Sequence, residues 1–407
     1  MSRTVALAAM PTAPTGNALR RCVGDPESFV RQHWARAPLY RPRNDPNGFA
    51  DLFAIADVDR LVATASLRVP AFRMVKDGGE LPQRSYTKSG RLGSKPVADL
   101  VDPGKVYRHF ADGATMVLQS LHRHWLPLTR FCRDLELSLT HPVQVNAYVT
   151  PPSSRGLGLH ADGHDVFVLQ VHGRKRWEVY RPGQAGDPKA PGERLLDVVL
   201  EAGDCLYVPI GFPHAVWTER SASAHLTVGV LTYKWHELLR QAVLRVLDDP
   251  AFAEALPPGF AAAPEALAGA VAERLDEVQR RLGKLDHAQL AATTARRFWS
   301  SRPPILTGQL QQLLALDQVS DATVVWRRAG SVCDLQRDGD GRPVLELGDR
   351  RVTFPAWVEP ALRALLALLR RECFVVADLA GELDPSSRLV LIRRLIREGL
   401  LEFDVVA

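Results

Sequence analysis

The chain has 407 residues, 46% of them hydrophobic and 24% charged, which fits two or three globular domains and excludes wholesale disorder, collagen and repeat fibres. Its 51 Lys and Arg against 46 Asp and Glu leave a formal charge of +5, too mild over this length to argue nucleic-acid binding. No apolar run has the length of a membrane span, and Val5 to Met10 is shorter than a signal-peptide core.

Cys22, Cys132, Cys205, Cys333 and Cys373 include no Cys-x-x-Cys pair, so they read as the reduced thiols of a cytoplasmic protein. Residues 1–24, rich in Ala, Thr and Pro, lack a buried-face period and are expected to form a loose tail, with order beginning near Asp25. PESFVRQHWA, after Asp25 as a cap, predicts an amphipathic helix, and a second helix pattern fits Asp57 to Thr64. From Asp77 to Lys95, with Arg84, Lys88 and Arg91, neither period is present, and a long surface loop is expected.

Between Pro142 and Thr232 the chain breaks into short β-branched and aromatic runs: VQVNAYVT, DVFVLQV, KRWEVYR, DVVLEAG, CLYVPI, HAVWTE and AHLTVGVLTY. Their spacing predicts a sandwich or barrel rather than βαβ units. After Tyr233, HELLRQAVLRVL, PEALAGAVAERLDEVQRRLGKL and DHAQLAATTARRFW carry apolar residues at helical intervals, and a partner subunit is a natural cover for that stripe. SRPP at 301–304 breaks the chain. Short strands, two helices, Gly399 and a last strand then follow in a winged-helix-like order. From Ile305 onward there are 13 Arg, no Lys and 15 acidic residues, a poor balance for holding phosphate.

His160-Ala161-Asp162 stands at the head of DVFVLQV. A His-x-Asp pair alone is a weak signal. His214, however, follows Gly203-Asp204, the strand CLYVPI and the turn GFPH, where an antiparallel barrel would return a strand to the same mouth. Two imidazoles and a carboxylate on one face suit non-haem Fe(II) oxygen chemistry, with zinc chemically open. In GRKRWEVY, alternation puts Lys175, Trp177 and Val179 on one face. A cation facing a barrel interior needs an anion, and a dicarboxylate cosubstrate supplies one.

VNAYVTPPSSRGLGLHADGHDVFVLQVHGRKRWEVYRP, GDCLYVPIGFPHAV and SAHLTVGV together resemble the JmjC-type 2-oxoglutarate oxygenases, and within them the ribosomal oxygenases. The strong motifs lie at about 142 to 230; FVRQHWARAPLYRPR and SLHRHWLPL extend the likeness weakly upstream. The resemblance implies that His160, Asp162 and His214 bind Fe(II) and that Lys175 pairs with the distal carboxylate of 2-oxoglutarate, with O2 as the third reactant. It further implies that Asn146 and Tyr148, and more weakly His225 and Thr227, line the cosubstrate or substrate site. One departure stands out: His164 occupies a position where relatives usually carry an apolar or aromatic residue, so it is a candidate for substrate contact or for competition as a ligand. His122 and His124 read as structural.

The expected architecture is α+β: a double-stranded β-helix (jelly-roll/cupin) core at 25–235, a helical dimerisation segment at 236–303 and a winged-helix-like domain at 304–407. The expected activity is hydroxylation of a His or Arg side chain of a ribosomal protein by a homodimer, with no membrane and no direct nucleic-acid contact. The rivals are hydroxylation of another peptide, such as a natural-product precursor, JmjC-type demethylation, and a non-catalytic cupin-fold binding module.

Overall fold

A computed structural model describes residues 17–155, 157–183 and 191–405. Its contacts divide the chain into two units, Met1–Thr232 and Tyr233–Ala407.

In the first unit, helix α1 (Asn17–Val23) buries Ala18, Leu19, Cys22 and Val23. That corrects the loose-tail expectation for residues 17–24: two adjacent apolar pairs four residues apart make a buried face too short to register as a period. The Ala18 N–H is also tied to Asp134 at 2.7 Å. Residues 1–16 of that expected tail lie outside the described residues. Helix α2 (Pro26–Gln32) begins as predicted, with the Asp25 carboxylate accepting from the N–H groups of Glu27 and Ser28 and Pro26 in the first turn. Strand β1 is Leu39–Arg41, helix α3 Ile55–Thr64 and strand β2 Phe72–Lys76.

The expected loop at 77–95 is instead strand β3 (Gly79–Glu80), a 3-10 turn, and a hairpin of β4 (Thr87–Leu92) and β5 (Lys95–Val101). Its tip is exposed on both faces, so no apolar alternation betrays it. Helix α4 (Pro103–Ala111), β6 (Thr115–Leu118) and α5 (Leu126–Leu139) lead into the β core: β7 (Val143–Thr150), β8 (Asp165–Tyr180), β9 (Arg194–Glu201), β10 (Cys205–Val208), β11 (His214–Trp217) and β12 (Ser223–Val230).

The main sheet runs β1-β10-β8-β12-β7-β6-β2-β3, with every pair antiparallel. The 16-residue β8 organises it. Its first half pairs with β10 and β12, and its second half pairs with β9 and β11. Gly173 sits at the changeover with φ +63°, and a β-carbon there would lie 1.9 Å from the Ala222 carbonyl oxygen. Only glycine fits so close a backbone approach in that conformation. On β7, Val143, Val145, Ala147 and Val149 enter the larger apolar core, which leaves Asn146 and Tyr148 on the other face. Trp177, Val179, Val166, Val208 and Val216 belong to a second apolar cluster between the arms of β8.

The second unit contains α6 (Trp235–Leu247), α7 (Pro264–Gly283), α8 (His287–Ser300) and α9 (Gln309–Leu314), then β13 (Val324–Arg327), β14 (Asp334–Arg337), β15 (Pro343–Glu346), β16 (Arg351–Thr353), α10 (Glu359–Leu368), β17 (Phe374–Val375), α11 (Pro385–Arg397) and β18 (Leu401–Phe403). Two three-stranded sheets form, β17-β13-β18 and β14-β15-β16. The contacts part the chain after Thr232, three residues before the expected boundary, and leave 233–407 as one body. The SRPP break is packed rather than free: Arg302 is buried, with its carbonyl against Gly348. No helix among the described residues is long and apolar enough to cross a membrane.

Candidate active site

Strand β11 begins at His214, and its backbone pairs with that of His160 in the loop before β8. This bridge brings two residues 54 positions apart in the chain onto one wall. Each imidazole is oriented by its own loop: His160 Nδ1 lies 2.8 Å from the Gly158 carbonyl and His214 Nδ1 lies 3.1 Å from that of Phe212. With the Nδ1–H donating there, the Nε2 lone pairs are free to face Asp162. His160 Nε2 stands 3.9 Å from Asp162 Oδ1, and His214 Nε2 stands 3.8 Å from Oδ2. Asp162 is itself held where the Gly211 N–H donates to its backbone carbonyl at 3.0 Å.

One ligand atom from each of the three residues falls within 4.8 Å of the others, the one such metal-ligating cluster among the described residues. Burial, and the neighbouring His160, lower the His214 pKa to about 4, so that ring is a neutral donor at ordinary pH. Two imidazole nitrogens and a carboxylate on one face match the donor set of a mononuclear Fe(II) site with open positions.

These groups border a cavity of about 570 Å³, open mouth included, whose lining also contains Tyr148, Lys175, Trp177, His225 and Thr227. Lys175 is 2% exposed. Its ammonium donates to Thr150 Oγ1 at 3.0 Å, and Thr150 in turn accepts from Thr115 Oγ1 at 3.1 Å. Burial alone pulls its pKa down from 10.5 to about 7, and no carboxylate stands within ion-pair distance among the described residues. Two further polar atoms on this wall, Trp177 Nε1 and His225 Nδ1, are buried without a hydrogen-bond partner. A cation and an N–H donor left unanswered beside a metal-ligand set fit a carboxylate-bearing ligand. His225 is kept neutral by burial and by the Lys175 charge, and its ring stacks on Tyr148 with centroids 5.1 Å apart.

The structure therefore brings seven of the eight expected site residues to one cavity. Asn146 is the exception. It lies on the same face of β7 but off the cavity wall, because its side-chain oxygen accepts the N–H of Ser120 at 2.9 Å. His164 joins neither the ligand cluster nor the lining; its ring packs over Gly229, where a β-carbon would come within 2.9 Å of it. His122 is structural as expected, its Nδ1 accepting the Val145 N–H at 3.2 Å. Sequence reasoning missed Thr150 and Thr115, whose hydroxyls carry no pattern. It placed Trp177 on the face of Lys175 without giving it a part, although the two-residue alternation already pointed inward.

Residues 118–238 match the JmjC domain family, so this chain carries a JmjC domain. Ribosomal oxygenase 1 of Gallus gallus is 31% identical over 316 residues, covering 71% of this chain and 51% of the chicken protein. A bifunctional lysine-specific demethylase and histidyl-hydroxylase NO66 of Drosophila mojavensis is 30% identical over 216 residues, covering 50% of this chain and 23% of the fly protein. The chain thus spans about half of the first of these relatives and less of the second. Among solved structures, YcfD, a ribosomal oxygenase from Escherichia coli in complex with cobalt and succinic acid, superposes with a TM-score of 0.51 at 20% identity over 93% of this chain and 98% of its own. That likeness speaks to the fold alone.

Proposed function

We propose that this JmjC-domain chain is an Fe(II)- and 2-oxoglutarate-dependent protein hydroxylase acting on a His or Arg side chain of a ribosomal protein. The observation that carries the reading is a single cavity with His160, Asp162 and His214 converging on one wall and a buried Lys175 ammonium facing no anion on another. When bound, iron, the 2-oxo acid and O2 together supply oxidative decarboxylation to succinate coupled to hydroxylation of an unactivated C–H bond.

The chain's own residues do the rest. His160, Asp162 and His214 hold the metal on one face. Lys175, steadied by Thr150, receives the far carboxylate and so fixes which end of the cosubstrate meets the metal. The Trp177 N–H offers that ligand a further donor. Tyr148, His225 and Thr227 shape the wall between cosubstrate and substrate, while Val166, Val208 and Val216 keep it dry.

The ribosomal substrate is supported by the relative named ribosomal oxygenase 1. The relative whose name joins demethylase to hydroxylase keeps lysine demethylation as the second reading; it shares the metal chemistry and differs by releasing formaldehyde. A homodimer is part of the proposal, supported by α7, which has no buried residue, and by exposed apolar side chains such as Trp235, Leu239 and Leu275. The run α10, β17, α11, β18, with its β17-β13-β18 sheet, supports a winged-helix-like C-terminal part in which β14, β15 and β16 form a second sheet between β13 and α10.

The test is mass spectrometry of ribosomal proteins from cells with and without the gene. A gain of one oxygen on a His or Arg that vanishes with the gene is the expected result. Iron-dependent formaldehyde release in its place would favour demethylation, and the absence of iron-dependent succinate with ribosomal proteins would favour another peptide or a binding module.

A further inference from the structure

The β4–β5 ribbon is the element that the proposed reaction leaves unused. Between Leu81 and Ala98 the sequence holds Arg84, Lys88, Arg91 and Lys95 and no acidic residue. All four are exposed. Lys88 comes no closer than 4.0 Å to Asp102, and Arg84, Arg91 and Lys95 form no ion pair among the described residues. Other arginines of the same unit are held closely, Arg68 by Asp99 at 2.8 Å and Arg176 by Asp197 at 2.8 Å. Three cations without an ion pair and a fourth whose carboxylate stands 4.0 Å away cost self-repulsion on a solvent-facing stretch, and core packing does not require them: among the described side chains of the ribbon only Thr87, Val97 and Val101 are buried.

The base of the ribbon is fixed and its tip is free. Lys105 Nζ donates to the Thr87 carbonyl at 2.7 Å, and the Asp102 N–H donates to that of Tyr86 at 2.9 Å. The register sets Arg91 opposite Pro96 and Leu92 opposite Lys95, so two cations crown the tip, with Lys88 about 10 Å down one strand from Arg91. We infer that this ribbon binds the phosphate backbone of a nucleic acid without reading its sequence.

Chemistry favours phosphodiester over an acidic peptide. No aromatic or other large apolar side chain among the described residues of the ribbon is exposed to anchor a peptide. Ser89, Ser94 and the backbone of Gly93 at the turn offer small donors beside the cations, as phosphate contacts use. A chain-wide charge of +5 argues for no nucleic-acid contact because it averages this cluster away. The inference is independent of the catalytic reading.

The experiment is fluorescence anisotropy of the full chain with labelled single-stranded RNA of mixed sequence, and with DNA of the same sequence, across a salt series. Both are expected to bind alike, with log K against log salt falling at a slope of about −2 for three phosphate contacts on a single strand. The K88E/R91E/K95E variant is expected to weaken binding at least about tenfold while melting as the parent does. If charge reversal disturbs folding, K88Q/R91Q/K95Q carries the test and is expected to weaken binding and flatten the slope. Reversal or neutralisation that leaves affinity within about twofold overturns the inference, as does salt-independent binding. Capture of polyglutamate in place of both nucleic acids overturns it in favour of an acidic protein partner.

Discussion

His160 and His214 exchange a reciprocal pair of backbone hydrogen bonds, His214 N–H to His160 carbonyl at 2.8 Å and His160 N–H to His214 carbonyl at 3.2 Å. Their ring centroids lie 4.4 Å apart. The two imidazoles are thus positioned by main chain before any metal arrives, and little ordering is left for the metal to impose.

Metal should therefore stabilise the fold by simple mass action. At a hundredfold excess over its dissociation constant a divalent ion is expected to add about 2.7 kcal/mol, read as a rise in melting temperature. Asp162→Ala should lose that increment while melting close to the parent without metal. An equal rise in the variant would place the ion elsewhere.

Lys175→Met separates stability from function. The folded-state pKa of Lys175, about 7, lies below its ordinary 10.5, so between those values the unfolded chain binds the extra proton and stability rises with pH. At pH 7 and below the buried charge is fully a cost. The variant should gain about 1–4 kcal/mol there, with the gain shrinking toward pH 10.5, while 2-oxoglutarate binding weakens at least about tenfold. Destabilisation by the substitution at pH 6 would contradict an ammonium without an anion.

Cosubstrate affinity should carry the opposite dependence. Binding a dicarboxylate needs the charged ammonium, so affinity measured by calorimetry should fall as pH rises above about 7. Pairing with the anion raises the Lys175 pKa in the complex, so the fall starts near 7 and continues up to that higher value before it levels off. A flat profile from pH 6 to 9 would remove Lys175 from the binding step.

Thr150→Val removes the acceptor that holds the Lys175 ammonium. We expect KM for 2-oxoglutarate to rise about tenfold, the equivalent of one charge-assisted hydrogen bond, with kcat little changed. Thr150→Ser should restore most of it. A fall in kcat with unaltered KM would make Thr150 merely structural.

Gly173→Ala tests the changeover in β8. With φ at +63° and a β-carbon 1.9 Å from a carbonyl oxygen, the substitution should cost about 2–4 kcal/mol in chemical denaturation and loosen both sheets. A loss below about 0.5 kcal/mol would mean that the two halves of β8 adjust freely.

Much of this site is legible in the sequence because β-strand chemistry is written with period two. Alternation places Lys175 with Trp177 and sets Asn146 and Tyr148 apart from their apolar neighbours, and the turns flanking CLYVPI announce the return of His214. What escapes is whatever depends on contacts across the fold. Asn146 has the right face, yet its oxygen is claimed by Ser120, 26 residues away. Thr150 and Thr115 matter only because β6 and β7 meet Lys175 there. Helix α1 and the β4–β5 ribbon escape for a local reason: one buries too few residues, and the other too little area, for a period to show.

The central claim is that one metal and one oxo diacid share a cavity between His160, Asp162, His214 and Lys175. Its most direct test is anaerobic titration of the Fe(II)-loaded protein with 2-oxoglutarate, followed by the visible charge-transfer absorption of the chelated 2-oxo acid. The parent should develop the band and saturate at one equivalent, Asp162→Ala should develop none, and Lys175→Met should need at least about a tenfold higher concentration. A band of equal strength and midpoint in all three proteins would contradict the account.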